Sequence, residues 1–196
     1  MPAARNRRLR PEIPQVSNDG YTREMRPAII VFVLAVSTTA MLAESAAGLH
    51  WTAPAGWKAG PPQTMRAATY AVPAASGDTA ASECVVYFFG AGQGGSVDAN
   101  IERWKGQFTS AGKPAPAVVA KRTAHGIAMT TIDVAGEYSG LGGPIAASKP
   151  VPGYRLLGAI VEGPGGNIFI KFTGPAKTIA ANKAKYDALL ASFAKD

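Results

Sequence analysis

The 196-residue chain is 47% hydrophobic and carries 22 glycines and 15 prolines, which suits one globular domain with its own core rather than several. Its 20 basic and 13 acidic residues leave a net charge of +7, but the lysines are scattered singly and no basic run alternates with aromatics, which speaks against a nucleic-acid groove. Cys84 is the only cysteine, so no intramolecular disulfide can staple the fold, and stability has to come from packing.

The first element is a leader. Pro27 to Ala43, PAIIVFVLAVSTTAMLA, is an uncharged apolar run with Met25-Arg26 before it and Ser45-Ala46-Ala47 after it. A basic residue, an apolar run and small residues in that order define a secretory signal peptide. The expected cut follows Ala47, with Ser45 at −3, because a cut after Ala43 would place the bulky Met41 at −3. That divides the chain into a leader over 1–47 and one globular domain over 48–196. Met25 is an alternative start, since Met-Arg-Pro and the apolar run form a compact signal by themselves. Arg7-Arg8 lies too far from the run, with Glu12, Asp19 and Glu24 between, to serve as a twin-arginine signal. No cysteine follows the run closely, so the lipid-attachment pattern is missing. If uncut, the run spans roughly 25 Å, short of the ~30 Å hydrocarbon core, and would anchor the chain with its C-terminal part outside. Either way the domain is expected outside the cytoplasm, periplasmic or secreted.

His50-Trp51-Thr52-Ala53-Pro54-Ala55-Gly56-Trp57 opens the domain as an extended aromatic segment bent at Pro54 and Gly56. Met65 to Val72 alternates as a strand does, Pro73 to Asp78 is a turn, and Glu83 to Phe89 is a continuous apolar run expected for a central strand. Cys84 falls inside that run as a small core residue. Ser96 is a helix cap, and Val97, Ile101, Trp104 and Phe108 then follow helical spacing, with Asp98 in the first turn. Gly112 to Pro116 ends that element. Val118 to Thr123 and Ile127 to Tyr138 read as strands joined at His125-Gly126, and Ser139 to Pro152 as a long loop. Tyr154 to Glu162 and Ile168 to Thr173 flank a hairpin turn over 163–167. A helix from about Thr178 closes the chain, with Ile179, Tyr186, Leu189, Leu190 and Phe193 on its apolar face. Hairpins with two amphipathic helices make an α+β fold: an antiparallel sheet covered by one inserted and one C-terminal helix.

This order resembles the PsbP-like fold, an α/β/α sandwich. The opening Trp51…Pro54-x-Gly56-Trp57, the Phe89-Gly90 strand end and the hairpin from Tyr154-Arg155 to Lys171-Phe172 are similar to small exported bacterial proteins of that type. The resemblance covers most of residues 50–194. It implies a fold rather than an activity, since members include photosystem subunits and a nuclear-import factor, and it transfers no binding residue onto this chain.

Gly90-Ala91-Gly92-Gln93-Gly94-Gly95 satisfies GxGxxG between a strand and a helix, where backbone N–H groups can meet an anion. No acid follows at the end of Val118 to Ala120 to hold a ribose, so no dinucleotide and no other cofactor is expected. Gly92, Gly94, Gly95 and Ser96 are candidates for a small anion. Trp51 and Trp57 are candidates for an exposed sugar or peptide platform, whereas Trp104 belongs to the helix's core face. His50 and His125 lack neighbouring ligands for a metal. Asp133, Glu137 and Glu162 would serve acid–base chemistry only if adjacent strands brought them together. No Gly-x-Ser-x-Gly, Ser-x-x-Lys or His-Glu-x-x-His motif is present. The expected role is therefore an exported, non-catalytic binding or scaffold domain of a bacterial envelope, with an envelope protein or anionic polymer as partner, no nucleic acid, and membrane contact only through the N-terminal segment. The alternatives are an exported hydrolase-like enzyme using the sheet carboxylates and an anion-binding module at the glycine turn.

Overall fold

The computed structural model describes residues 43–140 and 149–196. The apolar leader run, up to Leu42, and the middle of the loop expected over 139–152 lie outside the described residues. Twelve strands and three helices follow one another in the described chain.

The frame is a meander of three long strands: β9 (Ile127–Tyr138), β10 (Val151–Gly163) and β11 (Gly166–Pro175). β10 pairs antiparallel with both neighbours, and the β10–β11 hairpin closes at Gly163↔Gly166 over Pro164-Gly165. β5 (Ser82–Phe88) pairs with β11, β4 (Arg66–Val72) with β5, and β3 (Lys58–Ala59) with β4. At the other side β6 (Phe108–Ser110), with β7 (Lys113–Pro114), and β8 (Ala117–Ala124) both pair with β9. The β8–β9 turn is His125-Gly126, both with positive φ (49° and 73°), the two-residue geometry whose twist matches the flanking strands. Every pairing is antiparallel, as the hairpin-rich sequence implies.

Strand alternation divides the core. From β10, Leu156 and Ile160 face α1 (Val97–Lys105), while Leu157, Ala159 and Val161 face the other way. The first face packs Ile101 and Trp104 of α1 against Ile132, Val134 and Phe169. Trp104 lies on Gly158, where a Cβ would come within 2.8 Å of its ring, so the glycine is what lets the helix sit down on the sheet. The opposite face packs Ile168, Ile170 and Phe172 against Ile179 of α2 (Ala176–Ala181) and Tyr186, Leu189 and Leu190 of α3 (Lys183–Ala191). The single closing helix expected from the sequence is thus two, divided at Asn182, which leaves helical geometry (φ −106°) and accepts a hydrogen bond from Trp57 Nε1 at 3.2 Å.

A second, three-stranded sheet runs β1 (Ala43–Ala46), β2 (Leu49–Thr52) and β12 (Ala194–Lys195), in the order β1-β2-β12. It includes residues on the leader side of the expected boundary at Gly48. The described fold begins upstream, because Ala43 to Ala46 pair in register with Thr52 to Leu49 across the turn Ala47-Gly48.

Candidate functional site

The two tryptophans read as exposed platforms are core residues, and that expectation is corrected here. Trp51 is 0% exposed, stacks on Phe193 at 5.1 Å and donates from Nε1 to the Tyr70 hydroxyl at 2.9 Å. Trp57 packs against Phe172 at 4.9 Å, and its N–H is taken by Asn182. The Pro-Gly bend between them folds both rings inward, so each indole keeps its polar handle satisfied inside the domain.

The glycine turn lies where the sequence puts it, between β5 and α1. Ser96 caps α1 and accepts from the Ala99 N–H at 3.2 Å. Asn100 Nδ2 donates to the carbonyls of Gly94 (2.8 Å) and Ser96 (2.9 Å), which ties the turn to the helix. Gly94 has φ +90° and no room for a side chain, since a Cβ would stand 2.5 Å from Phe169 and 2.8 Å from Phe89. Packing thus accounts for that glycine without a ligand. Gly92 faces open space and Gly95 lies beside Asn100.

Phe89 and Phe169, which the turn backs, belong to the wall of a cleft. α1 packs over β9 to β11, and among the described residues no helix lies on the same face of β4, β5 and the start of β10. Two adjoining hollows of about 390 and 540 Å³ occupy it, sharing Tyr87, Gly140 and Lys171. Register explains the lining: Thr173, Lys171 and Phe169 of β11 stand opposite Glu83, Val85 and Tyr87 of β5, all on the α1 side. Tyr87 stacks on Phe89 at 5.8 Å, and Tyr138 on Tyr154 at 5.7 Å, so stacked aromatic pairs flank the opening.

The charges in this cleft do not balance. Arg66 is neutralised by Glu83 at 2.9 Å and lies over the Tyr87 ring. Lys171 is part-buried and donates only to the neutral Gln107 Oε1 at 3.1 Å, and Arg103 donates to Asn100 Oδ1. Among the described residues neither Lys171 nor Arg103 has a carboxylate partner. Burial, with the Arg103 charge adding to it, lowers the Lys171 ammonium to about 8. Burial also raises the Tyr87 and Tyr138 hydroxyls, keeping them neutral donors. The Thr173 hydroxyl in the lining is buried without a hydrogen-bond partner. Lys171 lines both hollows, Arg103 the second and Thr173 the first, so ammonium, guanidinium and hydroxyl groups line the same cleft.

The sheet carboxylates are not brought together. Asp133 is held by Arg155 in a bidentate pair, 2.8 and 2.5 Å. Glu137 receives the Thr109 hydroxyl at 3.5 Å, and Glu162 lies at the far end of β10, opposite Asn167. His125 Nδ1 donates to the Phe193 carbonyl at 2.9 Å, pinning the β8–β9 turn to the C-terminus, and His50 pairs with Asp196. Among the described residues no three His, Cys, Asp or Glu side chains gather closely enough to hold a metal ion.

Sequence reasoning passed over the cleft residues Arg66, Tyr87, Arg103, Tyr138, Tyr154, Lys171 and Thr173 as members of a site. One signal was there: Lys171 interrupts the apolar run Ile168-Phe169-Ile170-Lys171-Phe172 at the centre of a buried strand.

The sheet order and the two helical covers make this an α+β domain of the PsbP-like fold. Among solved structures, the chain is similar to cyanobacterial PsbP (CyanoP) from Synechocystis, with a TM-score of 0.50 and 11% identity over 83% of this chain and 96% of that one. A Pseudomonas aeruginosa protein of unknown function, named as a candidate regulator, matches with a TM-score of 0.46 and 13% identity over 80% of this chain and 97% of that one. No family model matches, and no curated protein does. Identities this low speak to the fold alone. No helix among the described residues is long and apolar enough to cross a membrane.

Proposed function

We propose that this chain is an exported, non-catalytic binding domain whose cleft takes a small carboxylate- or phosphate-bearing ligand. Lys171 and Arg103 form its cationic end and the stacked tyrosines its walls. The observation that supports this reading is the part-buried Lys171 with the exposed Arg103 at the same aromatic-walled hollow, neither with a carboxylate partner among the described residues. A buried cation without a counter-charge is costly, and a ligand anion removes that cost. Export rests on the basic, apolar and small-residue order around Pro27 to Ala43, and it places the anionic group among envelope metabolites or the end groups of envelope polymers.

Titration calorimetry at pH 7 with benzoate and inorganic phosphate tests the site. Aromatic contacts add about 0.5–1.5 kcal/mol, so benzoate binds up to about tenfold more tightly than phosphate. Lys171→Met and Arg103→Met each abolish the heat. Equal heats in the wild type and both variants, or no heat from either probe, would overturn the assignment.

A further inference from the structure

We infer that the leader is removed at the Ala40–Met41 bond, so that strand β1 stays in the mature domain. The inference rests on the export reading above and goes beyond it by naming the processing site.

The sequence alone favours a cut after Ala47, because Ser45 and Ala47 are small. The fold gives those residues another purpose. Ala43↔Thr52, Glu44↔Trp51, Ser45↔His50 and Ala46↔Leu49 form a registered hairpin. Ala47 and Gly48 are its two-residue turn, both with positive φ (56° and 71°). The Ala47 carbonyl accepts the Gly165 N–H at 2.8 Å, and a Cβ on Gly165 would meet the Ala47 backbone at 2.9 Å, so this turn is fitted against the β10–β11 turn.

Glu44 carries the rest of the argument. Its Oε2 accepts the Tyr70 hydroxyl at 2.7 Å, and Tyr70 in turn accepts the Trp51 N–H at 2.9 Å. Tyr70 and Trp51 are both 0% exposed. A cut at Ala47–Gly48 would strip β1, leave the Tyr70 hydroxyl without its acceptor and bare the edge of β2. A domain whose core needs Glu44 has to be cut upstream of it.

Upstream of Glu44, small residues stand at both required positions for the Ser37–Thr38, Thr39–Ala40 and Ala40–Met41 bonds, and of these only Ala40–Met41 has alanine at −1. Thr38 is at −3 and Ala40 at −1, after the apolar stretch Pro27 to Val36 and the polar Ser37-Thr38-Thr39. That apolar stretch falls within the 7–15 residues of a signal core. Hydrolysis there adds one water across the Ala40–Met41 peptide bond, leaving a carboxylate on Ala40 and an α-ammonium on Met41.

The test uses the full chain, expressed in a Gram-negative host with a C-terminal tag, followed by intact mass and N-terminal sequencing of the envelope fraction. The expected N-terminus is Met41. Ser45→Lys, at an exposed strand position, leaves it at Met41, whereas Ala40→Phe yields uncut, membrane-retained chain. A wild-type N-terminus at Gly48, with processing blocked by Ser45→Lys, would overturn the inference. Wild-type chain found uncut in the cytoplasm would instead overturn the export reading and the inference with it.

Discussion

Lys171 is the residue on which the account turns, and its effect on stability is as distinctive as its effect on binding. Unfolded, a lysine keeps its proton to about pH 10.4. In the fold, burial lowers it to about 8. Between those values the unfolded chain holds the extra proton, so stability rises with pH, and it is lost again as pH falls through 8. Tyr87 and Tyr138 act in the opposite sense above about pH 10, where unfolded tyrosines ionise and the buried ones, raised by desolvation, do not. Burial raises the Cys84 thiol well above its ordinary value too, so from about pH 8.5 it also opposes Lys171, and the lysine's effect is read as a difference from a variant that lacks it. Urea unfolding of both proteins at pH 7 and pH 9.5 checks this: across the interval the wild type gains on Lys171→Met by up to about 2 kcal/mol. Lys171→Met is also more stable than the wild type at pH 7, by about 1–3 kcal/mol, while losing the ligand. That trade of stability for function marks a binding residue rather than a structural one.

At the scale of elements, the start and inner face of α1 were legible, but its end was not: the helix stops at Lys105 rather than at Gly112. Its cap Ser96, first-turn Asp98 and the row Val97, Ile101 and Trp104 are local signals, and the helix begins at Val97 as they require. Only Phe108 leaves the row, because the helix stops at Gly106 and Phe108 starts β6. Trp104 is 2% exposed and seated on Gly158, so Trp104→Ala should destabilise the domain by roughly 3–5 kcal/mol, measured by denaturant unfolding. A loss below about 1 kcal/mol would mean the helix is not seated on the sheet. β4, β5 and β8 to β11 were readable from alternation and apolar runs for the same local reason. β1, β7 and β12 were not, since two- to four-residue strands exist only through their partners. The break at Asn182 was hidden because its cause, the Trp57 indole, is distant in sequence.

For the whole molecule, the fold class was legible because hairpin turns and two amphipathic helices leave few ways to bury one sheet. The site was not, because the cleft is what that packing leaves uncovered among the described residues, and no local pattern records such a face. The glycine motif drew attention as a site, while in the fold it backs the cleft wall through Gly94 against Phe89 and Phe169. The central claim is that this wall encloses a cation waiting for an anion, and the ionisation of Lys171 reports on it most directly. Titrating the Lys171 amine by NMR in the full-length folded protein should give a midpoint near 8, moving upward when benzoate is added, because an anion bound beside the ammonium favours the charged form. A midpoint at the ordinary lysine value, unmoved by benzoate and by phosphate, would contradict the account.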